Sequence, residues 1–486
     1  MKYLELLKKN WQVMLLALIP CILAILRVDF LMIVAVEVWL AVTLCSVNNF
    51  SENIFFTVFL CSFFVFLISG DLAEQIFHVY YYRRFNADAV THSRICIILS
   101  LAFLGLGFRS KKTLWKKMCI EEKIAGKIGG IRESVNFVSK AILCVTFPIL
   151  LIDTINTVIF VAMNGYVAYY SSYNPLLPSV VIKVGEMTHA VLCVYLATFP
   201  KKKETKIILL LYLVFSVLAM AIGQRGAFIY RFAFILAYLF LRQKVHNDGE
   251  VWIKKRTIIA LAISAPFLLA FLFAYGYIRM GNDVPDQSIG ELIAGFFVNI
   301  GSTSQILKDG YVYDLAIPRT KLFSVGGIIQ YFRYGTLFNL FSQNAVPTPH
   351  TAEFALEGNR FDHFLSYLTI PERYFGGEGT GSCFIAELFA DFGYLGVCFG
   401  SYIYGKFFKT LSELKNRNWL SASVLLYMMM QMVKTPRGAY DDFLTAIINV
   451  VYIASITMVT VVAWMHHKGV FDPLLEKVRK IVIRKE

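Results

Sequence analysis

Apolar runs of about 20 residues recur along the whole chain, separated by short polar or basic stretches. That is the length an α-helix needs to cross a bilayer. Twelve spans are predicted, at roughly 11–26, 30–47, 54–70, 95–108, 136–162, 179–199, 207–222, 227–241, 257–277, 383–405, 419–433 and 443–465. The expected fold is therefore an all-α polytopic membrane protein with about twelve transmembrane helices. One connection departs from the pattern. Residues 278–382 form a polar loop of about 105 residues before the tenth span, and a loop of that size is usually functional. It holds a predicted amphipathic helix at 289–308, whose apolar residues are Leu292, Ile293, Phe296, Phe297 and Ile300. IPRTKLFSVGGIIQYFRYGTLFNLF, a VPTPH turn and FDHFLSYLTIPERYFGGEGTGS follow, with aromatics and arginines alternating. The chain divides into helices one to nine (1–277), the extracytoplasmic loop domain (278–382), helices ten to twelve (383–465) and a basic cytoplasmic tail (466–486).

The junction of that loop with the tenth span, residues 371–400, draws the most attention. Its first third is glycine-rich and charged and reads as a turn. From Cys383 onward it reads as one apolar helix, yet Glu387 and Asp391 lie inside it, four apart and so on one face. An ionisable residue within a span is costly and faces a cavity or a partner.

Composition agrees with a membrane protein: 57% hydrophobic, 16% charged and a mean hydropathy of +0.60 over 486 residues. The formal net charge is +14, and its distribution carries the information. With the N-terminus inside, the inner segments hold 30 of the 47 Lys and Arg residues and the outer ones 14, spread over far more loop. This predicts both termini in the cytoplasm and explains the charge without nucleic acid. The first span, after MKYLELLKKN, lacks a cleavage site and reads as a retained helix. Inside, lysine outnumbers arginine 23 to 7; outside, arginine outnumbers lysine 11 to 3. The guanidinium fork suits oxyanions, so the outer bias points to phosphate. Residues 111–131 and the tail place Leu, Ile, Met and Trp among basic residues, as segments lying on anionic membrane lipids do. The outer HVYYYRRF stretch, within 71–94, suits an interfacial belt first and a sugar platform second. The nine cysteines form no CxxC pair, so neither a disulfide framework nor a metal site is expected.

Two outer turns share a form. GQRG (223–226) and TPRGAYDD (435–442) both read Arg-Gly-Ala-aromatic, and both are expected to open a helix at the outer face. Helix N-termini carry free N–H groups and positive dipole ends. Arg225 and Arg437 are therefore the first candidates for binding pyrophosphate, with Arg333 and Arg373 of the loop beside them. The GQRG turn is also explained by an arginine snorkelling at a hairpin, and the four-residue match of the two turns is weak evidence for an internal repeat.

Acid–base candidates gather near the junction: His350, Asp362, His363, Glu372, Glu378, Glu387 and Asp391. Of these, Glu378, Glu387 and His363 are the candidate bases for a sugar hydroxyl. Glu387 and Asp391 suit equally an ion pair with an arginine of a neighbouring helix. Lys183, Glu186 and His189 form a further group near the outer end of the sixth span; with Asp391, Lys183 and Glu186 are expected to line a supporting polar cavity. No P-loop, GxSxG or HExxH is present, so no nucleotide cofactor is expected and any donor would be an activated lipid.

GGEGTGSCFIAELFADFGYLG resembles the signature that begins a late helix in Wzy-type oligosaccharide repeat-unit polymerases. The two Arg-Gly turns, and the plan of a dozen spans with one large outer loop near the C-terminus, are similar to that family as well. The resemblance implies an enzyme at the outer face of the bacterial cytoplasmic membrane. There a growing glycan leaves undecaprenyl pyrophosphate and joins a new lipid-linked repeat unit, without metal or cofactor. Its partners would be that lipid-linked oligosaccharide, membrane lipids and possible chain-length regulators. The family's catalytic residues follow no simple motif, so the base assignment rests on chemistry alone. Two other classes share the architecture. A lipid-linked oligosaccharide flippase would show two similar halves and short loops. A glycan ligase would share both the plan and the arginines.

Overall fold

The computed structural model describes residues 2–78, 84–110, 122–223, 225–245, 250–279, 281–284, 286, 288–335, 348–414 and 417–471. Most of the predicted interfacial stretches 111–131 and 466–486, most of HVYYYRRF, Gln224 and part of VPTPH lie outside these residues. The protein is an all-α polytopic membrane protein. Among the described residues nine helices are long and apolar enough to cross a membrane: Phe30–Val47, Ile54–Phe77, Ala87–Arg109, Ile131–Asn164, Ser179–Ala197, Lys202–Ala221, Lys255–Ile278, Phe384–Leu411 and Val450–His467. Trp11–Ile25 and Trp419–Met432 are shorter apolar helices at predicted spans. The helix Arg225–Val245 covers the predicted span 227–241.

The chain forms two compact units. The first holds 1–114, 236–412 and 431–445, and contains every residue of the loop–helix junction. Its core is aromatic. Phe56 stacks on Phe108 at 4.3 Å, and Phe59 lies 4.7 Å from Phe408. Close backbone packing supplements it. A methyl group on Gly107 would meet the Tyr402 carbonyl at 2.1 Å, and one on Gly405 the Leu104 carbonyl at 2.1 Å. The Ser100 and Ser401 hydroxyls bond across the same seam at 2.8 Å. Small residues that let two membrane helices touch are a usual source of packing where lipid offers no hydrophobic drive.

The second unit holds 115–235, 413–430 and 446–486. Lys140 pairs with Glu204 at 2.7 Å, Asn136 donates to Thr198 at 2.7 Å, and Tyr427 stacks on Tyr452 at 4.5 Å.

Three predicted elements differ from expectation. The amphipathic helix 289–308 ends at Ile300, and a 3₁₀ turn Gly301–Thr303 leads into Ser304–Val312. Gly301 is pressed on Gly70, whose backbone nitrogen would lie 2.3 Å from any added Cβ, so packing overrides the helical pattern there. The span 443–465 is interrupted at Asn449, whose side chain accepts from Val451 N and starts a new helix.

The third difference matters most. The stretch 383–405 is not one rod. Gly393 has φ +61° and ψ −153°, a conformation open only to glycine, and there the chain folds back on itself. A straight helix would separate Phe384 from Tyr404 by about 30 Å; their rings instead stack at 5.2 Å. A methyl group on Gly400 would meet the Leu388 side chain at 2.5 Å, and one on Gly396 would meet the Leu388 carbonyl at 2.4 Å. Residues 384–392 thus form a short limb lying against a long limb, 394–411, and Glu387 is not deep within a straight lipid-facing helix.

Candidate functional site

The short limb is held at both ends by its two carboxylates. Glu387, 1% exposed, accepts from the Ser382 hydroxyl at 2.6 Å and from the Tyr440 backbone N–H at 2.7 Å. One carboxylate therefore ties the glycine-rich turn to the Arg437-Gly438-Ala439-Tyr440 turn. Asp391 points elsewhere, although it was expected to share a face with Glu387. It accepts from the Phe323 and Ser324 amides, each at 2.8 Å, and from the Ser324 hydroxyl at 2.6 Å. Arg319 donates to the Ala390 carbonyl at 2.9 Å, a cation at the limb's C-terminal end. Asp441 closes the circuit by accepting from Ile328 N at 2.8 Å. Burial pushes the Asp441 carboxyl up to about 6.

The late arginine turn also differs from expectation. Arg437 ends a 3₁₀ turn, Thr435–Arg437, and does not open a helix; Gly438 is extended and the next helix begins at Asp442. Arg225 does open a helix, Arg225–Val245. Its turn needs glycine at 223, where φ is +99° and a methyl group would meet the Tyr166 ring at 2.3 Å. The four-residue match between the two turns is therefore not a structural repeat.

The glycine turn ahead of the limb has positive φ at Gly377 and Gly381. Ser366 pins it, accepting from Thr380 N at 2.9 Å. Gly381 leaves room beside Arg437, whose Nε would lie 4.0 Å from a methyl group there. Arg437 is exposed. Asp442, which starts the next helix, draws in two further cations, Lys434 at 3.6 Å and Arg360 at 3.8 Å. Arg360 also grips Asp362 with two bonds, at 3.1 and 3.0 Å. Burial works against the Asp362 charge, but the guanidinium prevails and holds the carboxyl below its usual range. Within the same stretch Glu378 pairs with Arg373, and both are exposed.

His363 belongs to an aromatic nest. Its Nδ1 lies 3.1 Å from the Tyr374 hydroxyl, and Phe354 packs on its ring at 4.5 Å. Burial pushes the imidazole below its ordinary value, so it is neutral near pH 7. The His350 ring lies 5.2 Å away.

The remaining expected residues have other partners. Arg333 is exposed in the last turn of Gly326–Tyr334, its guanidinium 5.1 Å from the Tyr334 ring. Lys183 and Glu186 sit in the second unit and pair with each other at 2.7 Å, largely exposed. His189 bonds the Tyr212 hydroxyl at 2.8 Å and is not part of that pair. Among the described residues no group of three or more His, Cys, Asp and Glu is placed to hold a metal ion.

A family profile described as O-antigen polysaccharide polymerase Wzy matches residues 11–468, nearly the whole chain. The chain belongs to that family. No curated protein and no solved structure matches it. As a Wzy family member it is a multi-pass membrane enzyme of polysaccharide biosynthesis that acts on lipid-linked oligosaccharide repeat units. In this Wzy chain the stretch that carries the sequence signature is also the structural hub. Sequence reasoning missed Ser382, Tyr440, Asp441, Arg360 and Ser324. Asp441 and Tyr440 stood within the quoted TPRGAYDD, but their partners are distant in sequence and left no local signal.

Proposed function

We propose that this enzyme transfers a growing glycan from undecaprenyl pyrophosphate onto the next lipid-linked repeat unit, at the outer face of the cytoplasmic membrane. The observation that carries the reading is the Glu387 carboxylate, which joins the glycine turn to the arginine turn and so sets Arg437 beside Gly381. A bare glycine backbone next to an exposed guanidinium is a fitting seat for a pyrophosphate leaving group. Arg225, at the start of its helix, is proposed as a further phosphate-binding residue, and so, each by itself, are the exposed Arg333 and Arg373.

In the proposed step the acceptor hydroxyl attacks the anomeric carbon. The new C–O bond forms as the bond to the lipid pyrophosphate oxygen breaks, and the hydroxyl proton passes to a base. Glu378 is proposed as that base, because it is exposed in the glycine turn and held only by a surface ion pair. His363, neutral and half-buried, is the second candidate. Glu387 has both oxygens committed and is assigned a positioning role.

Outer-face chemistry rests on the charge asymmetry, which favours cytoplasmic termini. In a cysteine-free background, an impermeant thiol reagent should label Leu315→Cys and not Lys201→Cys; the reverse pattern would reject this orientation. The reaction itself is tested with purified protein in liposomes and a lipid-linked repeat unit. A ladder of products supports polymerisation, a single transfer means a ligase, and unchanged substrate on the opposite side means a flippase.

A further inference from the structure

The two limbs pack on each other through Leu388, Gly396 and Gly400, but the bend between them is open. A Cβ built on Gly393 would meet nothing within 4 Å, so no neighbour fills the bend itself. The long limb is fixed to the helix Ala87–Arg109 by the Ser100–Ser401 bond and the Gly107–Gly405 contact. The short limb must be set against that same frame, and one side chain of the frame reaches both sides of the break. His92, 3% exposed, packs on Phe389 before the break at 4.2 Å, and its Nδ1 lies 2.9 Å from the Tyr394 hydroxyl after it. Tyr311 stacks on the imidazole at 4.6 Å, and the Cys96 sulfur lies 3.5 Å from Nε2. Both ring nitrogens and the ring itself therefore have partners, and the imidazole is wedged in the crook of the two limbs.

We propose that His92 is a positioning residue for glycan transfer: through Phe389 and Tyr394 it fixes the angle between the limbs, and so places Glu387 and the Arg437 turn. The proposal rests on the reading that the short limb organises the site. The coupling path is short. Phe389 and Glu387 lie two residues apart on a limb of nine, and Asp391 clamps the same end of that limb to Ser324. A shift at Phe389 is passed to Glu387 because interiors packed this closely rearrange rather than stretch.

The test is a double-mutant cycle in proteoliposomes, with kcat and KM for a lipid-linked repeat unit measured separately and thermal stability followed in parallel. Tyr394→Phe removes only a hydroxyl, and His92→Phe keeps the ring but loses the nitrogens. Each is expected to lower kcat by about fivefold or more while KM stays within about twofold. The double variant should lose no more than the worse single one, the sign of one shared interaction. His92→Asn, which presents a polar atom near the place of Nδ1, should recover part of the rate. A rate loss that merely follows loss of thermal stability, additive losses, or wild-type kcat in Tyr394→Phe would overturn the proposal. Glu387→Ala is the control for the underlying reading. If it loses kcat while Tyr394→Phe does not, His92 alone is misassigned. If Glu387→Ala keeps full kcat, the site reading fails and the His92 proposal falls with it.

Discussion

Two neighbouring pieces of the junction, the glycine turn 376–381 and the short limb 384–392, hold their carboxylates in opposite ways. In the turn, Glu378 and Arg373 pair at the surface, where such a bond contributes only about 0–1 kcal/mol and opens easily. In the limb, Glu387 and Asp391 accept hydrogen bonds from backbone amides and serine hydroxyls. Among the described residues neither forms an ion pair with an arginine, which was the expected alternative to a catalytic role. Glu387, 1% exposed, is tolerable in the interior because its oxygens are hydrogen-bonded, and the same burial keeps it from a substrate hydroxyl. The proposal accordingly gives the chemistry to the turn and the positioning to the limb.

The variant with the largest expected effect acts where the two pieces meet. With the bound lipid pyrophosphate desolvating the guanidinium, Arg437→Ala should cost about 2–5 kcal/mol of transition-state stabilisation, tens- to thousands-fold in kcat/KM. Arg437→Lys should fail nearly as badly, because lysine lacks the fork. Full polymer length and rate in Arg437→Lys would break the comparison on its exposed side.

The next variant sharpens the buried side. Glu387→Ala leaves the Tyr440 amide and the Ser382 hydroxyl without their acceptor, at about 1–3 kcal/mol for each group left unpaired. The apparent melting temperature should drop by several degrees, and Glu378→Ala should leave it nearly unchanged. Equal shifts for the two would erase the distinction.

The smallest effect is on pH dependence. Asp441 is raised to about 6 from the ordinary 3.8, so the folded state holds this proton more tightly than the unfolded one. The stability it contributes is fully present below about pH 4 and is lost as the pH rises through about 6. Asp441→Asn should remove that part of the slope of apparent melting temperature against pH; an unchanged slope would show that Asp441 does not carry it.

Much of the fold was legible because the length of a span is set by the bilayer, and the apolar runs state it directly. The Wzy signature was legible for a related reason: it lies in 376–396, where turn and limb meet. The fold-back at Gly393 was not, because one glycine in an apolar helix costs only about 1 kcal/mol and does not demand a break. The signal lay in three glycines together. Gly393 supplies the bend, while Gly396 and Gly400 admit the Leu388 carbonyl and side chain. The site was legible in its residues but not in their roles. Glu387 and Asp391 stood out as charges in an apolar run, yet their partners at 440 and 323–324 are distant in sequence. The paired arginine turns misled, because four matching residues do not set where a helix starts; Gly438 and Asp442 do.

The central claim is that chemistry belongs to the turn and positioning to the limb. The direct measurement is kcat at saturating lipid-linked repeat unit for Glu378→Gln and Glu387→Gln. A glutamine at 387 can still accept from the Tyr440 amide and donate to the Ser382 oxygen, so kcat should stay within about tenfold of the parent. A glutamine at 378 cannot take a proton, and kcat should fall by about 10²–10⁴ with substrate still bound. The reverse order, with Glu387→Gln inactive and Glu378→Gln close to the parent, would contradict the account.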